Sequence, residues 1–459
     1  MKIHGIGGFD EVGKNMTAVE LKDDVIIFDC GIFLPPIVAL EETEKVYTEK
    51  RLRAIRAVPS DYVLDKLNLR HKVRAIIPSH AHLDHIGAIP YLAHRYNAEI
   101  IGTPFTIEVL KTLLKDEKIT LKNKIKTMQP NSSCYVQGKN KKYKVDFINM
   151  THSTIQTSMI ALHTDEGIVL YSNDFKLDNS PVLGKKPNYE KLKEISKQGV
   201  KALIVDSLYS GDERKTASEK VARSLLEDVM LTTSNEGAGL FVTTFSSHIA
   251  RLKSIVEFGK QLNRKIFFLG RSLNKYVSAA SRVNMCPFRN DVEIATYRNQ
   301  LERTLKKINK DRERYLVVCT GHQGEPGSIL DRLSRNKLPF QFRSQDHVIF
   351  SSSVIPTPIN IENRAGLDNR LKKRGIRMFN NVHVSGHAGR EDLRDFINMI
   401  NPEHIIPAHG DHKKTAPMVE LAEELGYKNN KTVHLIHDRG QLKFWKFNIV
   451  RNNININNL

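Results

Sequence analysis

Residues 79–85 read Ser-His-Ala-His-Leu-Asp-His, so His80, His82, Asp84 and His85 bring four metal-capable side chains into six positions. The apolar run 74–78 before them reads as a buried strand, and 86–92 after them as a helical segment. On extended chain alternate residues point the same way, so His80 and His82 share one direction while the turn aims Asp84 and His85 at an adjacent point. Imidazole and carboxylate suit borderline-soft divalent metals, and two neighbouring donor sets suit hydrolysis by a pair of them. Three histidines and an aspartate at this density read as a metallohydrolase site rather than as surface histidines.

Further donors are expected where apolar strands end in polar residues. Asp29 ends the run 25–28, His152 follows 145–150, Asp174 follows 168–171 and His409 follows 404–407. A thiolate at Cys30, beside Asp29, is the weaker alternative. With the 80–85 cluster, this ordered set resembles the metallo-β-lactamase superfamily. The resemblance implies that His80, His82 and His152 hold one zinc and Asp84, His85 and His409 a second, two zinc ions per chain, with Asp174 bridging. Asp29 would then orient ligands from behind.

The elements that must position these residues imply more than one domain. A chain of 459 residues is too long for a single average domain. An apolar fraction of 40% with regular strand-like runs indicates a sizeable core. Six of the donors fall between His80 and Asp174, whereas His409 arrives far downstream, so the chain must leave the metal domain and return to it. The stretch between has its own rhythm: apolar strands at 240–244, 266–269, 315–319 and 347–350 run into Ser-, Thr-, Gly-, His- or Arg-bearing turns. Helical spacing separates most of them, as at Ile249, Leu252, Ile255 and Val256. Continuous apolar strands predict a parallel sheet covered on both faces, and such sheets bind ligands at their carboxyl edge. The expected division is a first metal-domain part at 1–211, an insert at 212–371, a returning part at 372–447 and a disordered Asn-rich tail at 448–459.

Formal charge is +19 and the pI about 9.6, which favours a polyanionic partner. Basic clusters such as Lys139, Lys141, Lys142, Lys144 and Arg303, Lys306, Lys307 could track a backbone or be solvated surface. No signal-peptide pattern precedes the first strand, and no apolar run approaches a membrane span. Four scattered cysteines without a Cys-x-x-Cys pair fit reduced thiols in a cytoplasmic protein.

The insert distinguishes the chain from small-molecule hydrolases of this fold and resembles the β-CASP branch. Asp206 with Ser207 after 202–205, His387 within 383–389, and His409 within 407–410 match that branch's three further motifs. Within the branch the resemblance is to the ribonuclease J family in its shorter archaeal form. It is carried by Gly7-Gly8-Phe9-Asp10-Glu11-Val12-Gly13-Lys14-Asn15-Met16, by 174–178 and by 383–388, and runs to about residue 447. The third motif lacks the Pro-Asp that often follows His152 in bacterial members, and Asn173 stands where Gly is common. The implied fold is α/β: a metallo-β-lactamase αββα sandwich interrupted by a parallel-sheet β-CASP domain.

The implied activity is hydrolysis of RNA phosphodiester bonds, mainly 5′→3′ from 5′-monophosphate ends, releasing nucleoside 5′-monophosphates. His387 would protonate or stabilise the leaving 3′ oxygen, with Asp206 holding its ring. Ser351, Ser352, Ser353, Ser385, Gly386, His387 and Ala388 would form a terminal-phosphate pocket. Phe33 would stack on a base opposite His383, and its alternative is ordinary packing. Single-stranded RNA is the expected partner, and a homodimer is a candidate assembly. An endonuclease on the same fold, a non-catalytic RNA-binding subunit and, more distantly, a thioester or lactam hydrolase are the competing readings.

Overall fold

The computed structural model describes residues 1–39, 47–355, 357–444 and 450–452. Among them, the strands form three sheets. The first has the order Val450–Asn452, Gln441–Lys443, Lys2–Gly7, Met16–Glu20, Val25–Phe28, Val73–Ile77, Glu99–Gly102, Ile125–Thr127. The second runs His404–Ala408, Val200–Asp206, Gly167–Ser172, Ser158–Thr164, Lys142–Asn149, Ser132–Gln137.

Alternation along the strands explains why these two sheets face each other. Ile26, Phe28, Ala75 and Ile77 point inward and share a core with Val145, Phe147, Ile160, Val169, Tyr171 and Ile204 of the second sheet. Phe28 and Tyr171 stack there with ring centroids 5.0 Å apart. Val25, Ile27 and Ile76 point outward and pack with helical residues such as Leu64, Leu92 and Leu110. Leu170, Leu203 and Ile405 do the same on the other side with Leu192, Phe396 and Met418. Each sheet thus buries both faces, one on its partner sheet and one on helices, and the sandwich is αββα.

The third sheet is wholly parallel, in the order Val292–Ala295, Lys265–Leu269, Tyr315–Cys319, Leu240–Thr243, His347–Phe350, Arg377–Phe379. Its four central strands are those expected from their apolar runs. The two edge strands, Val-Glu-Ile-Ala and Arg-Met-Phe, escape a hydrophobicity reading because an edge needs fewer apolar residues. The outer one lies beyond the expected insert boundary at 371. One face of this sheet, with Val242, Ile255 and Phe268, continues the helical core of the first sheet, so insert and sandwich share apolar packing.

Two expectations at the end of the chain part company. Residues 450–452, placed in the disordered tail, pair antiparallel with Gln441–Lys443, while 453–459 lie outside the described residues. No helix among the described residues is long and apolar enough to cross a membrane.

Candidate metal centre and its catalytic neighbours

Strand direction gathers the polar residues. Val25–Phe28 and Val73–Ile77 run parallel, as do Gly167–Ser172, Val200–Asp206 and His404–Ala408. Lys142–Asn149 is antiparallel to its neighbour, which is in turn antiparallel to Gly167–Ser172. Their carboxyl ends therefore meet at one edge of the sandwich, bringing Asp29, residues 79–85, His152, Asp174, Asp206 and His409 together. Three of these break from the strand with left-handed backbone: Asp29 at φ 56°, Asp174 at 58° and His409 at 61°. Such conformations cost about 1–3 kcal/mol each and persist where the surroundings over-determine them. At His409 the N–H donates to Gly8 O at 2.7 Å, and at Asp29 to Ile77 O at 3.2 Å.

Three groups of donor atoms result, each spanning less than 4.8 Å: His80, His82, His152 and Asp174; Asp84, His85, Asp174 and His409; and Asp174, Asp206, His387 and His409. Asp174 belongs to all three. Its Oδ2 lies 3.4 Å from His80 Nε2, 3.2 Å from His85 Nε2 and 3.6 Å from His152 Nε2. Its Oδ1 lies 3.6 Å from His409 Nε2.

Hydrogen bonds on the outer side of the rings decide what faces inward. His80 passes its Nδ1 proton to Ser79 Oγ at 3.0 Å, and that hydroxyl donates to Asp29 Oδ2 at 3.0 Å. His85 Nδ1 donates to the same Asp29 oxygen at 2.7 Å, as does Tyr171 OH at 2.7 Å. His152 Nδ1 donates to Gly386 O at 2.7 Å and His409 Nδ1 to Asn15 Oδ1 at 3.0 Å. Each ring is left with an Nε2 lone pair. His82 is turned the other way, with Nε2 on Ser247 Oγ at 3.1 Å and Nδ1 facing in.

The inward atoms fit a metal and fit little else. His82 Nδ1 stands 3.1 Å from Nε2 of both His80 and His152, an approach of lone pairs that a cation relieves. Asp174 Oδ1 is buried without a hydrogen-bond partner. Burial and mutual repulsion hold His80, His82 and His152 below the ordinary imidazole pKa, in the neutral ligand form. Burial opposes charge on His85 too, but the carboxylates of Asp174, Asp84 and Asp29 outweigh it and raise its pKa; the same field favours a metal cation. Nitrogen and carboxylate oxygen are the donor types zinc accepts. Cys30 takes no part in the three groups, and burial pushes its thiol well above the usual range.

His387 stands at the open side. Its Nδ1 bonds Asp206 Oδ2 at 2.7 Å, and its Nε2 is 4.0 Å from Asp174 Oδ2. Burial alone would lower its pKa, but the Asp206 and Asp174 charges and the Asp206 hydrogen bond lift it to about 9. The side chain is 17% exposed, against 0% for those of His80, His85 and His152. With His82, which is also half-buried, it is one of the two histidines of this corner within reach from outside.

The residues expected to hold substrate separate into three kinds. Gly386 presents its carbonyl to His152, and a Cβ there would stand 2.8 Å from Ser153 Oγ. Ser385 Oγ accepts from His387 N at 3.0 Å. Ser351 is fully buried; its hydroxyl donates to Val382 O at 2.8 Å and accepts from Arg251 Nη1 at 2.8 Å, so it is engaged inside the protein. Ser352 keeps a buried hydroxyl with no hydrogen-bond partner, and half-buried Ser353 accepts from Gln323 Nε2 through its carbonyl. Ala388 packs into the core behind the second sheet rather than into a pocket. Phe245 lies beside His383 with ring centroids 6.5 Å apart, and Phe33 has Lys14 Nζ 5.9 Å from its centroid.

Asn15, Ser79, Tyr171 and Ser247 also shape the centre although no single-residue signal marks them. Asn15 Nδ2 reaches Asp84 O and His85 Nε2, both at 3.1 Å, besides holding His409. Its place at the end of a glycine-rich turn was the one available hint. Gly31 lies against the same turn: a Cβ there would fall 1.6 Å from Asp84 O. Gly31→Ala is therefore expected to cost about 3 kcal/mol, the upper end of overpacking, and to lower metal occupancy. Thermal melting with elemental analysis checks both.

Three profiles of known families match the chain: the metallo-beta-lactamase superfamily over residues 10–197, the beta-CASP domain of ribonuclease J over 238–365, and the Zn-dependent metallo-hydrolase RNA specificity domain over 374–434. A ribonuclease J of Methanocaldococcus jannaschii is 42% identical over 448 residues, 97% of this chain and 99% of the relative. One of Pyrococcus abyssi is 42% identical over 438 residues, 95% of each. One of Helicobacter pylori is 28% identical over 450 residues, 96% of this chain but 60% of the relative. A solved protein of unknown function from Enterococcus faecalis V583 shares the fold, with a TM-score of 0.63 at 18% identity over 96% of this chain and 99% of that one.

Proposed function

The chain belongs to the ribonuclease J family and is a metal-dependent hydrolase of RNA; we propose that it binds two zinc ions and shortens RNA from 5′-monophosphate ends in the 5′→3′ direction. The two-zinc reading is supported by the paired donor groups that share Asp174. His80, His82 and His152 would hold one ion, Asp84, His85 and His409 the other, with Asp29 fixing the rings of His80 and His85 from behind. When bound, the metals supply Lewis acidity and a water of lowered pKa.

The chain's own residues account for the remaining steps. His387, protonated and steered by Asp206, gives its Nε2 proton to the departing 3′ oxygen. Scission of the bond to that oxygen leaves the phosphate on the downstream 5′ end, so each product is again a 5′-monophosphate substrate. Ser385, Ser352 and Ser353 are the hydroxyls we assign to the terminal phosphate, and Phe245 joins Phe33 as a candidate stacking ring.

The observation that carries the terminal reading is closure of the insert and of the returning segment around the centre. Ser247, just past the strand Leu240–Thr243, bonds His82, and Gly386 bonds His152. Two metal-facing histidines are thus enclosed at their outer edges, one by the insert and one by the segment before His387, and that enclosure favours a strand end over the middle of a long RNA. Four free cysteines support a reducing, cytoplasmic setting.

End-labelled RNAs carrying 5′ monophosphate, triphosphate or hydroxyl test the direction. The monophosphate is expected to be degraded roughly 10-fold or more faster than the triphosphate, the worth of one charge-assisted hydrogen bond, with mononucleotides appearing from the first time point. Equal rates on all three ends with internal fragments as products would establish the endonuclease instead.

A further inference from the structure

The insert's contacts to the substrate side converge on Arg251, a residue that no motif singles out. It lies in the helix Ile249–Gln261 and is fully buried. Nε and Nη2 donate to Glu219 Oε1 and Oε2 at 2.6 and 2.8 Å. Nη1 serves Ser351 O at 3.0 Å, Ser351 Oγ at 2.8 Å and Val382 O at 3.4 Å, and meets His383 Nδ1 at 3.3 Å. Glu219 opens the helix Glu219–Glu227, and its N–H donates to Asp178 Oδ2 at 2.7 Å. Arg251 therefore ties a strand end of the insert to the segment leading to His387, and through Glu219 it is linked to Asp178 of the sandwich.

A guanidinium has donors only and does not lose its proton. His383 Nδ1 must accept from it, so the single proton of that ring is on Nε2. We propose that Arg251 is a positioning residue for substrate, holding His383 as a neutral ring whose Nε2–H is the donor offered to an oxygen of the terminal RNA nucleotide. This deepens the proposed function and rests on it. A second proton on Nδ1 would face the guanidinium directly. The other groups facing the ring are His248, Lys176 and Glu219; burial, Arg251, His248 and Lys176 outweigh Glu219 and push His383 down to about 2. Its half-buried ring also has Phe245 beside it. A ring that cannot take a second proton grips RNA equally across the range in which a free histidine switches.

The test is histidine nitrogen NMR on the metal-loaded protein, with the His383 signal assigned through H383Q, alongside kinetics on 5′-monophosphorylated RNA. In the wild type His383 should remain the Nε2–H tautomer between about pH 5.5 and 8.5. In R251Q the ring should titrate, and KM should rise roughly 10-fold and vary with pH, while kcat falls far less and metal content is retained. H383Q added to R251Q should raise KM no further. A titrating His383 in the wild type, or additive losses in the double variant, overturns the proposal. Should R251Q not fold, R251K serves: it keeps a cation toward Nδ1 and should keep the fixed tautomer, and a titrating ring there overturns the proposal equally. The tautomer is read without RNA, so wild-type enzyme yielding internal fragments alone would refute the 5′→3′ reading, and with it the terminal nucleotide as the acceptor, whereas a titrating His383 would refute the Arg251 pairing by itself.

Discussion

Asp174→Asn is expected to empty both candidate metal groups and to lower RNA cleavage by at least about 10⁴-fold, since it removes the charge shared by two Lewis-acid sites. The reason is geometric. Among the described residues, no other carboxylate lies within reach of His80, His85, His152 and His409 at once, with contacts of 3.2 to 3.6 Å. Asparagine keeps the shape and removes the charge, and its amide would point an N–H at a lone pair already crowded among imidazoles. The fold should survive, because Asp174 Oδ1 makes no hydrogen bond that the protein would miss. Elemental analysis of native protein, circular dichroism and an end-labelled RNA assay decide it together. A variant that still carries two metals per chain and cleaves at the wild-type rate would remove Asp174 from the centre.

His387→Ala, by contrast, should keep its metals and lose about 10²–10⁴-fold in kcat, the usual worth of general acid catalysis. Asp206→Asn should give a smaller loss with a diagnostic pH dependence. An acid must be protonated to act, so activity falls as pH rises through its pKa. In the wild type the Asp206 charge and its hydrogen bond raise the His387 pKa against burial. With the Asp206 charge removed the pKa drops, so the alkaline limb of the kcat profile moves to lower pH, and the loss is greatest at alkaline pH and shrinks on acidification. An unshifted limb would mean that His387 contributes by charge or packing and not by proton transfer. Metal loss in His387→Ala would make it a ligand instead.

The division between what could be read locally and what could not follows particular residues. His80, His82, Asp84 and His85 are adjacent in sequence and declare themselves by density. Asp29, His152, Asp174 and His409 sit where apolar runs stop, a local signal that needs no knowledge of neighbours. The four central strands of the insert were equally plain, because strands buried on both faces are apolar throughout. Its edge strands Val292–Ala295 and Arg377–Phe379 were not, and the second carries the sheet past the expected boundary. The serine turn shows the limit most clearly. Three serines in a row read as one phosphate nest, yet Ser351 is sealed against Arg251 and Val382 while Ser352 keeps an unpartnered hydroxyl.

By itself, then, the sequence determined the donor types, the strands that end in them and the need for the chain to leave and return. Tertiary structure alone decided which ring nitrogens face one another at the candidate centre, that Ser247 and Gly386 hold the outer edges of His82 and His152, that Phe245 lies beside His383, and that Arg251 joins Glu219 to Ser351 and His383. The physical reason is the range of each signal. Hydrophobic periodicity acts on neighbouring residues and survives in any window of the chain. Hydrogen-bond partners such as His152 and Gly386 are set by sheet order and strand register, which only the folded packing of distant segments defines.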